Sequence, residues 1–136
     1  MIQQKEITLP SFGRGFHIVT NEIIKAIGEL PETGLVNLFI KHTSAALTIN
    51  ENADPSVLSD FESFMKKLVP EQSDLYTHIM EGTDDMPAHI KTSLFGNSLT
   101  IPVTNSKLNL GTWQGIYLCE FRNSPHRRKL IITVYS

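Results

Sequence analysis

The C-terminal third of the chain restricts the possible folds most. Ser98–Val103, Leu108–Leu110, Trp113–Phe121 and Lys129–Tyr135 are four runs rich in β-branched and aromatic residues, the composition of strands. The turns between them are short, Thr104-Asn105-Ser106-Lys107 being one. Neighbours in one sheet that are joined by a short turn run antiparallel, because a parallel pair needs a crossover of a dozen residues or more. Whatever precedes Ser98 therefore has to pack onto antiparallel sheet.

The upstream residues supply more strands and the helices to cover them. Lys5–Leu9 alternates polar and apolar residues up to Pro10, and Phe16–Thr20 offers a partner after the turn-prone Ser11–Gly15. Leu35–Ile40 is apolar apart from Asn37, the pattern of a strand covered on both faces, and Ala46–Asn50 is a further short strand. Thr20 or Asn21 can cap a helix whose Ile23, Ala26, Ile27 and Leu30 form one stripe, stopped by Pro31 and Gly34. Asp54-Pro55 opens a second helix, with Val57, Leu58, Phe61, Phe64, Met65 and Leu68 as its core-facing stripe. Pro87 opens a third, ended by Gly96. The expectation is a single α+β domain spanning residues 1–136, with mostly antiparallel sheets and about three helices.

Charge and composition exclude some partners. Twelve basic and fourteen acidic residues are dispersed along the chain, which leaves no nucleic-acid footprint. No apolar stretch is long enough to cross a membrane, and the N-terminal residues lack an export signal, so a cytoplasmic, unexported protein is expected. The one cysteine, Cys119, lies in an apolar run; it makes neither a disulfide framework nor a thiolate metal site.

Chemistry concentrates in two stretches. Thr77–Ser93 carries His78, His89, Glu81, Asp84 and Asp85, while Lys41–Pro55 carries His42, Glu51 and Asp54. Glu71–Asp85 has no periodicity and is long for a loop in a small domain, a length more often functional than accidental. Imidazoles and carboxylates gain little from crowding unless they bind a metal, move protons or pair with cations. His42, His78 and His89 are the candidate ligands, and three neutral imidazoles suit zinc or another borderline divalent metal. Asp54 has a sufficient role as a helix N-cap, and Asp85 is placed where a helix N-terminus favours negative charge. Glu51, Asp84 and Glu120 have no such structural role and stand as candidate acids or bases. Arg122, Arg127, Arg128 and Lys129 surround Pro125 and could clamp a phosphate, as could Lys91; Trp113 is either core or a stacking platform.

The segments HTSAALTINENADP, EGTDDMPAHIK, SLTIPV and LGTWQGIYLCEF together resemble the YjbQ family (UPF0047), described as secondary thiamine-phosphate synthases. The likeness covers nearly the whole chain. It implies a homotrimer with a polar, metal-binding pocket near the subunit contacts. It also implies an activity that joins an aminopyrimidine methyl diphosphate to a thiazole phosphate and releases pyrophosphate. On matching positions it implies pocket roles for His42, Asn50, Glu51, Asp54, His78, His89, Trp113, Gln114 and Glu120, with Arg127 or Arg128 in the basic turn. The site expected is thus His42, His78 and His89 on the metal. Glu51, Asp54, Asp84, Glu120 and Arg127 act in catalysis, and Ser44, Asn50, Lys91, Trp113 and Gln114 hold a small phosphorylated metabolite. Magnesium could accompany a diphosphate substrate. A metal-dependent hydrolase using Glu51 or Asp84 as base, and a non-catalytic trimeric metal- or ligand-binding protein, are the competing readings.

Overall fold

The computed structural model describes all 136 residues. β3 (Thr33–Ile40) is the middle of a five-stranded antiparallel sheet, paired on one side with β8 (Lys129–Tyr135) and on the other with β5 (Ser98–Thr104). β1 (Ile2–Thr8) adds to β8, and the two-residue β6 (Lys107–Leu108) adds to β5, giving the order β1-β8-β3-β5-β6. The β5–β6 hairpin turns on Asn105 and Ser106, both at positive φ as a type I′ turn requires. A second, three-stranded sheet has β7 (Gln114–Glu120) between β2 (Gly15–Ile18) and β4 (Ala45–Glu51).

Alternation along the strands sorts side chains into two cores. Val36, Leu38 and Ile40 of β3 meet Ala45 and Leu47 of β4 and Ile116 and Leu118 of β7 between the sheets. α1 (Thr20–Ile27) contributes Ile23 and Ile27 to this core. The opposite face of the smaller sheet, with Tyr117 and Cys119, packs with Phe121 against α2 (Pro55–Leu68) and α3 (Asp85–Phe95). Phe16, Phe61, Phe95 and Phe121 knit that second core, with neighbouring ring centroids 5.3 to 6.3 Å apart. Three helices on antiparallel sheets make the α+β fold the sequence leads one to expect.

Several local expectations need correction. β2 does not pair with β1: β1 joins β8 in the larger sheet and β2 joins β7 in the smaller one, and the connections β6–β7 and β7–β8 also pass between the sheets. β3 is covered on one face only: Leu35 and Phe39 point outward and are exposed, beside Ile131 and Tyr135 of β8 in register. A continuous apolar run does not distinguish a strand covered by its own chain from one with a bare outer face. On α2, Leu58, Phe61 and Met65 pack inward, whereas Phe64 and Leu68 are exposed, so the apolar stripe is wider than the contact it makes. The residue before α1 is Val19, with no side-chain cap; the Thr20 hydroxyl instead accepts the Ile116 amide at 2.9 Å. Asp54 caps α2 as expected, its Oδ1 accepting the Ser56 amide at 2.9 Å, which lowers its pKa. Residues 69–84 join α2 to α3 without helix or strand. None of the helices is long and apolar enough to cross a membrane.

Candidate functional site

The site forms where β4 begins and β7 ends, since antiparallel pairing puts Ala45 opposite Glu120. α3 lies over this end and carries Asp85 and His89 one turn apart, on the same helix face. The preceding loop folds back so that His78 meets both. Asp85 Oδ2 is 2.7 Å from His78 Nε2 and 3.1 Å from His89 Nε2, and the two rings are 5.4 Å apart. One ligand atom from each of His78, Asp85 and His89 falls within 4.8 Å of the others.

Hydrogen bonding fixes how these groups face each other. His89 Nδ1 is 2.8 Å from the Thr43 carbonyl, which can only accept, so Nδ1 carries the proton. In the neutral imidazole the Nε2 lone pair is then directed at a carboxylate oxygen. Two lone-pair atoms facing at 3.1 Å need a cation between them, either a proton or a metal ion. Two imidazole nitrogens and one carboxylate oxygen are a donor set that borderline divalent ions accept, so the residues fit a metal.

Asp85 is only 1% exposed, and burial by itself would raise its pKa. Hydrogen bonding with His78 and with the Glu81 carboxyl, together with the charges of His89 and Arg122 nearby, outweighs this and holds the carboxyl below the usual range. Arg122, just after β7, forks across the adjacent acids: Nε donates to Asp84 Oδ2 at 2.8 Å and Nη1 to Asp85 Oδ1 at 2.7 Å. Its Nη2 reaches the Glu81 carbonyl at 3.1 Å. Burial would likewise raise the Asp84 pKa, but the Asn123 amide, at 2.9 Å, and Arg122 lower it. The loop is tied down at its other side by Arg14, which pairs with Glu62, Glu71 and Asn123.

Beside His89 lies an open pocket of about 800 Å³ lined by His42, Thr43, His89, Thr92, Ser93, Gly96 and Asn97. No apolar side chain, lysine, arginine or carboxylate borders it. His42 belongs to this pocket and not to the His78–Asp85–His89 group. Its Nε2 accepts the Lys129 amide at 2.8 Å, so the lone pair a metal would need is engaged and Nδ1 carries the proton. Burial, and then the charge of Arg128, push its pKa below 6.5.

The other residues expected at the site separate into three groups. Glu120 and Ser44 are at the right end of the sheet but are consumed by Arg128, whose Nε and Nη2 meet the two Glu120 oxygens at 2.6 and 2.5 Å. The same Nη2 donates to the Ser44 hydroxyl at 3.0 Å. Arg127, next to it, is exposed, so the buried arginine of this turn is Arg128. Lys91 is 1% exposed, with Nζ over the Phe121 ring at 4.9 Å; burial lowers its pKa, and it does not line the pocket. Asn50, Glu51, Trp113 and Gln114 sit at the far end of the same sheet, because β4 pairs Glu51 with Gln114. Six residue steps of strand put that end about 20 Å from Ala45. There Asn50 and Gln114 bond to nearby backbone, and Trp113, 64% exposed, is not core. Asp54 follows as the cap of α2. Within one chain, the pocket therefore lacks all five of these residues.

Asp85 and Arg122 are the contributors that sequence reasoning misassigned. A helix-start carboxylate needs no further explanation, yet the spacing Asp85-x-x-x-His89 was a readable signal, since it stacks a carboxylate under an imidazole on one helical face. Arg122 gave no signal beyond its basic neighbours, because its partners come from a segment about 40 positions earlier.

Fold and site together define a class: a small α+β protein with antiparallel sheets and a two-histidine, one-carboxylate cluster at the end of one sheet. The family model described as UPF0047 protein YjbQ-like matches residues 5–136, and the chain belongs to that family. It is 50% identical over 136 residues to the UPF0047 protein YjbQ of Salmonella typhimurium, covering 98% of each chain. The protein of the same name from Escherichia coli O157:H7 is 46% identical over 136 residues, again 98% of each. Among solved structures, a conserved hypothetical protein of Thermus thermophilus superposes with a TM-score of 0.82 at 33% identity, covering 94% of this chain and 97% of that one. An uncharacterized conserved protein of the yjbq/upf0047 family from Clostridium acetobutylicum gives 0.77 at 37% identity, over 97% and 98%.

Proposed function

We propose that this chain is a small metal-dependent enzyme acting on a phosphorylated metabolite, with a divalent ion, zinc foremost, held by His78, Asp85 and His89. The observation that carries the reading is the His89 tautomer: with Nδ1 donating to Thr43, Nε2 presents its lone pair to Asp85 Oδ2, which His78 Nε2 also faces. When bound, such an ion supplies a Lewis acid that draws charge off a phosphate or carbonyl oxygen. Thr43 keeps the His89 ring in one orientation, the usual task of the partner behind a ligating histidine. His42, Thr43, Thr92, Ser93 and Asn97 give the adjoining pocket hydroxyls, amides and an Nδ1–H, suited to an uncharged hydrogen-bonding portion of a substrate.

Within that frame, thiamine-phosphate synthesis is the activity proposed from the family likeness. Lys91 is buried, Arg127 does not line the pocket and Arg122 is committed to Asp84 and Asp85, so neutralising a departing pyrophosphate would fall to metal charge, magnesium arriving with the diphosphate included. Hydrolysis with the same chain's Glu51 as base is disfavoured by its distance, and with Asp84 by its bonds to Arg122 and Asn123. The outer face of the larger sheet, with Leu35, Phe39 and Tyr135 exposed and Ile131 half-buried, supports assembly into the homotrimer the family likeness implies.

The test is calorimetric titration of metal-free protein with Zn²⁺, followed by assay of thiamine phosphate formation with and without the ion. One Zn²⁺ per chain, lost in His89→Ala, is the expected result. No uptake by the folded wild type would leave His78, Asp85 and His89 as a proton-bridged trio and remove the metal reading. Uptake without thiamine phosphate would retain the metal and discard the named reaction.

A further inference from the structure

Resting on the metal reading above, we infer that Arg122 is the positioning residue for the ion: it sets the direction in which Asp85 offers its free oxygen and anchors the loop that brings His78. Asp85 has two carboxylate oxygens and three claimants. Arg122 Nη1 takes Oδ1 at 2.7 Å, which leaves Oδ2 for the two imidazoles. Without that hold, a buried carboxylate is free to turn and divide its oxygens differently between the rings. The guanidinium is planar and its donors are fixed relative to one another, so the bonds to Asp84 and Glu81 determine where the Asp85 bond can fall.

The Glu81 contact adds the second function. Glu81 is three residues after His78, and its carbonyl is held at 3.1 Å by the same side chain that holds Asp85. One residue thus registers the loop donor against the helix donors. Arg122 is itself well placed to be a fixed reference: its amide donates to Glu120 Oε2 at 3.2 Å, and Glu120 is fully buried. The next amide, of Asn123, meets Asp84 Oδ2. A basic residue kept for phosphate would be expected to face the pocket; Arg122 does not line it.

The experiment uses the full chain and Co²⁺ as the probe, because cobalt reports both occupancy and ligand geometry through its visible bands. Arg122→Ala is expected to bind Co²⁺ about 10- to 100-fold more weakly than wild type, as for loss of a group that orients a metal ligand. The band positions or intensities should change as well, which simple loosening of the fold away from the site would not produce. Arg122→Lys keeps the charge without the fork and should fall between the two. Circular dichroism and thermal melts establish that each variant is folded. A folded Arg122→Ala with wild-type affinity and spectrum overturns the inference. Should Arg122→Ala fail to fold, wild-type binding by Arg122→Lys overturns it equally. Absence of Co²⁺ and Zn²⁺ binding in the wild type is a different result: it removes the metal reading itself, and the positioning role with it.

Discussion

Arg128 and Arg122 flank the turn between β7 and β8, and each ends on carboxylates, but the two contacts differ in what they leave over. Arg128 meets both oxygens of Glu120, adds the Ser44 hydroxyl and carbonyl, and is closed off from solvent. Every acceptor there is satisfied inside the protein. Arg122 spends one donor on each of Asp84, Asp85 and Glu81, and leaves Asp85 Oδ2 to two histidines that remain partly exposed. The lesson is that burial and pairing alone do not identify a functional acid. A saturated pair specifies structure, whereas a held carboxylate whose free oxygen faces the His89 Nε2 lone pair leaves a place for a proton or a metal ion between them.

The most severe way to test this contrast is to open the saturated pair. Glu120→Gln should cost about 3–5 kcal/mol in urea unfolding, since it strands a buried guanidinium. A cost under about 1 kcal/mol would mean that Glu120 is not the structural member of the comparison. Asp85→Asn should have the opposite profile: a folded protein whose Zn²⁺ affinity falls by more than the roughly 100-fold at which an orienting partner tops out. If Asp85→Asn binds Zn²⁺ as wild type does, the distinction between the two carboxylates collapses.

Smaller effects sharpen the boundary of the site. Asp54→Ala should lower stability by about 1 kcal/mol through loss of the α2 cap and leave Zn²⁺ binding unchanged. His42 should appear in the pH dependence of the melting temperature. Its folded pKa is below 6.5, so the unfolded chain binds its proton more readily, and stability contributed there is present above pH 6.5 and lost as pH falls through the lower folded value. His42→Asn should flatten that acid-side slope, and an unaltered slope would exclude His42 as its source. Arg127→Ala, on the exposed side of the turn, should stay within about 0.5 kcal/mol of wild type and bind Zn²⁺ normally.

What could be read from the sequence follows from how local each determinant is. The Asp54-Pro55 start of α2 was legible because cap and helix are adjacent in the chain. His78 and His89 were legible as candidates because few structural reasons crowd imidazoles among acids. His42 and Glu51 looked like neighbours because only nine positions separate them, but an extended strand is the quickest way to carry residues apart, and β4 puts them at opposite ends of the sheet. Glu120 stood as a candidate acid or base because no local role explained it, and its actual partner, Arg128, is brought back only by the turn. Leu35 and Phe39 were misread for the same reason: alternation reports which face a side chain takes, not what lies over that face.

Cys119 offers an experimental opening. It is the chain's one sulfhydryl, sealed in the core between the small sheet and the helices, where burial pushes its ionisation far above the ordinary thiol range. A Met80→Cys chain, altered at a side chain 92% exposed in the loop that bears His78, would therefore carry a single reactive sulfur. A fluorophore or spin label attached there would follow the segment in real time as metal is added, with no need to remove any native residue to silence background.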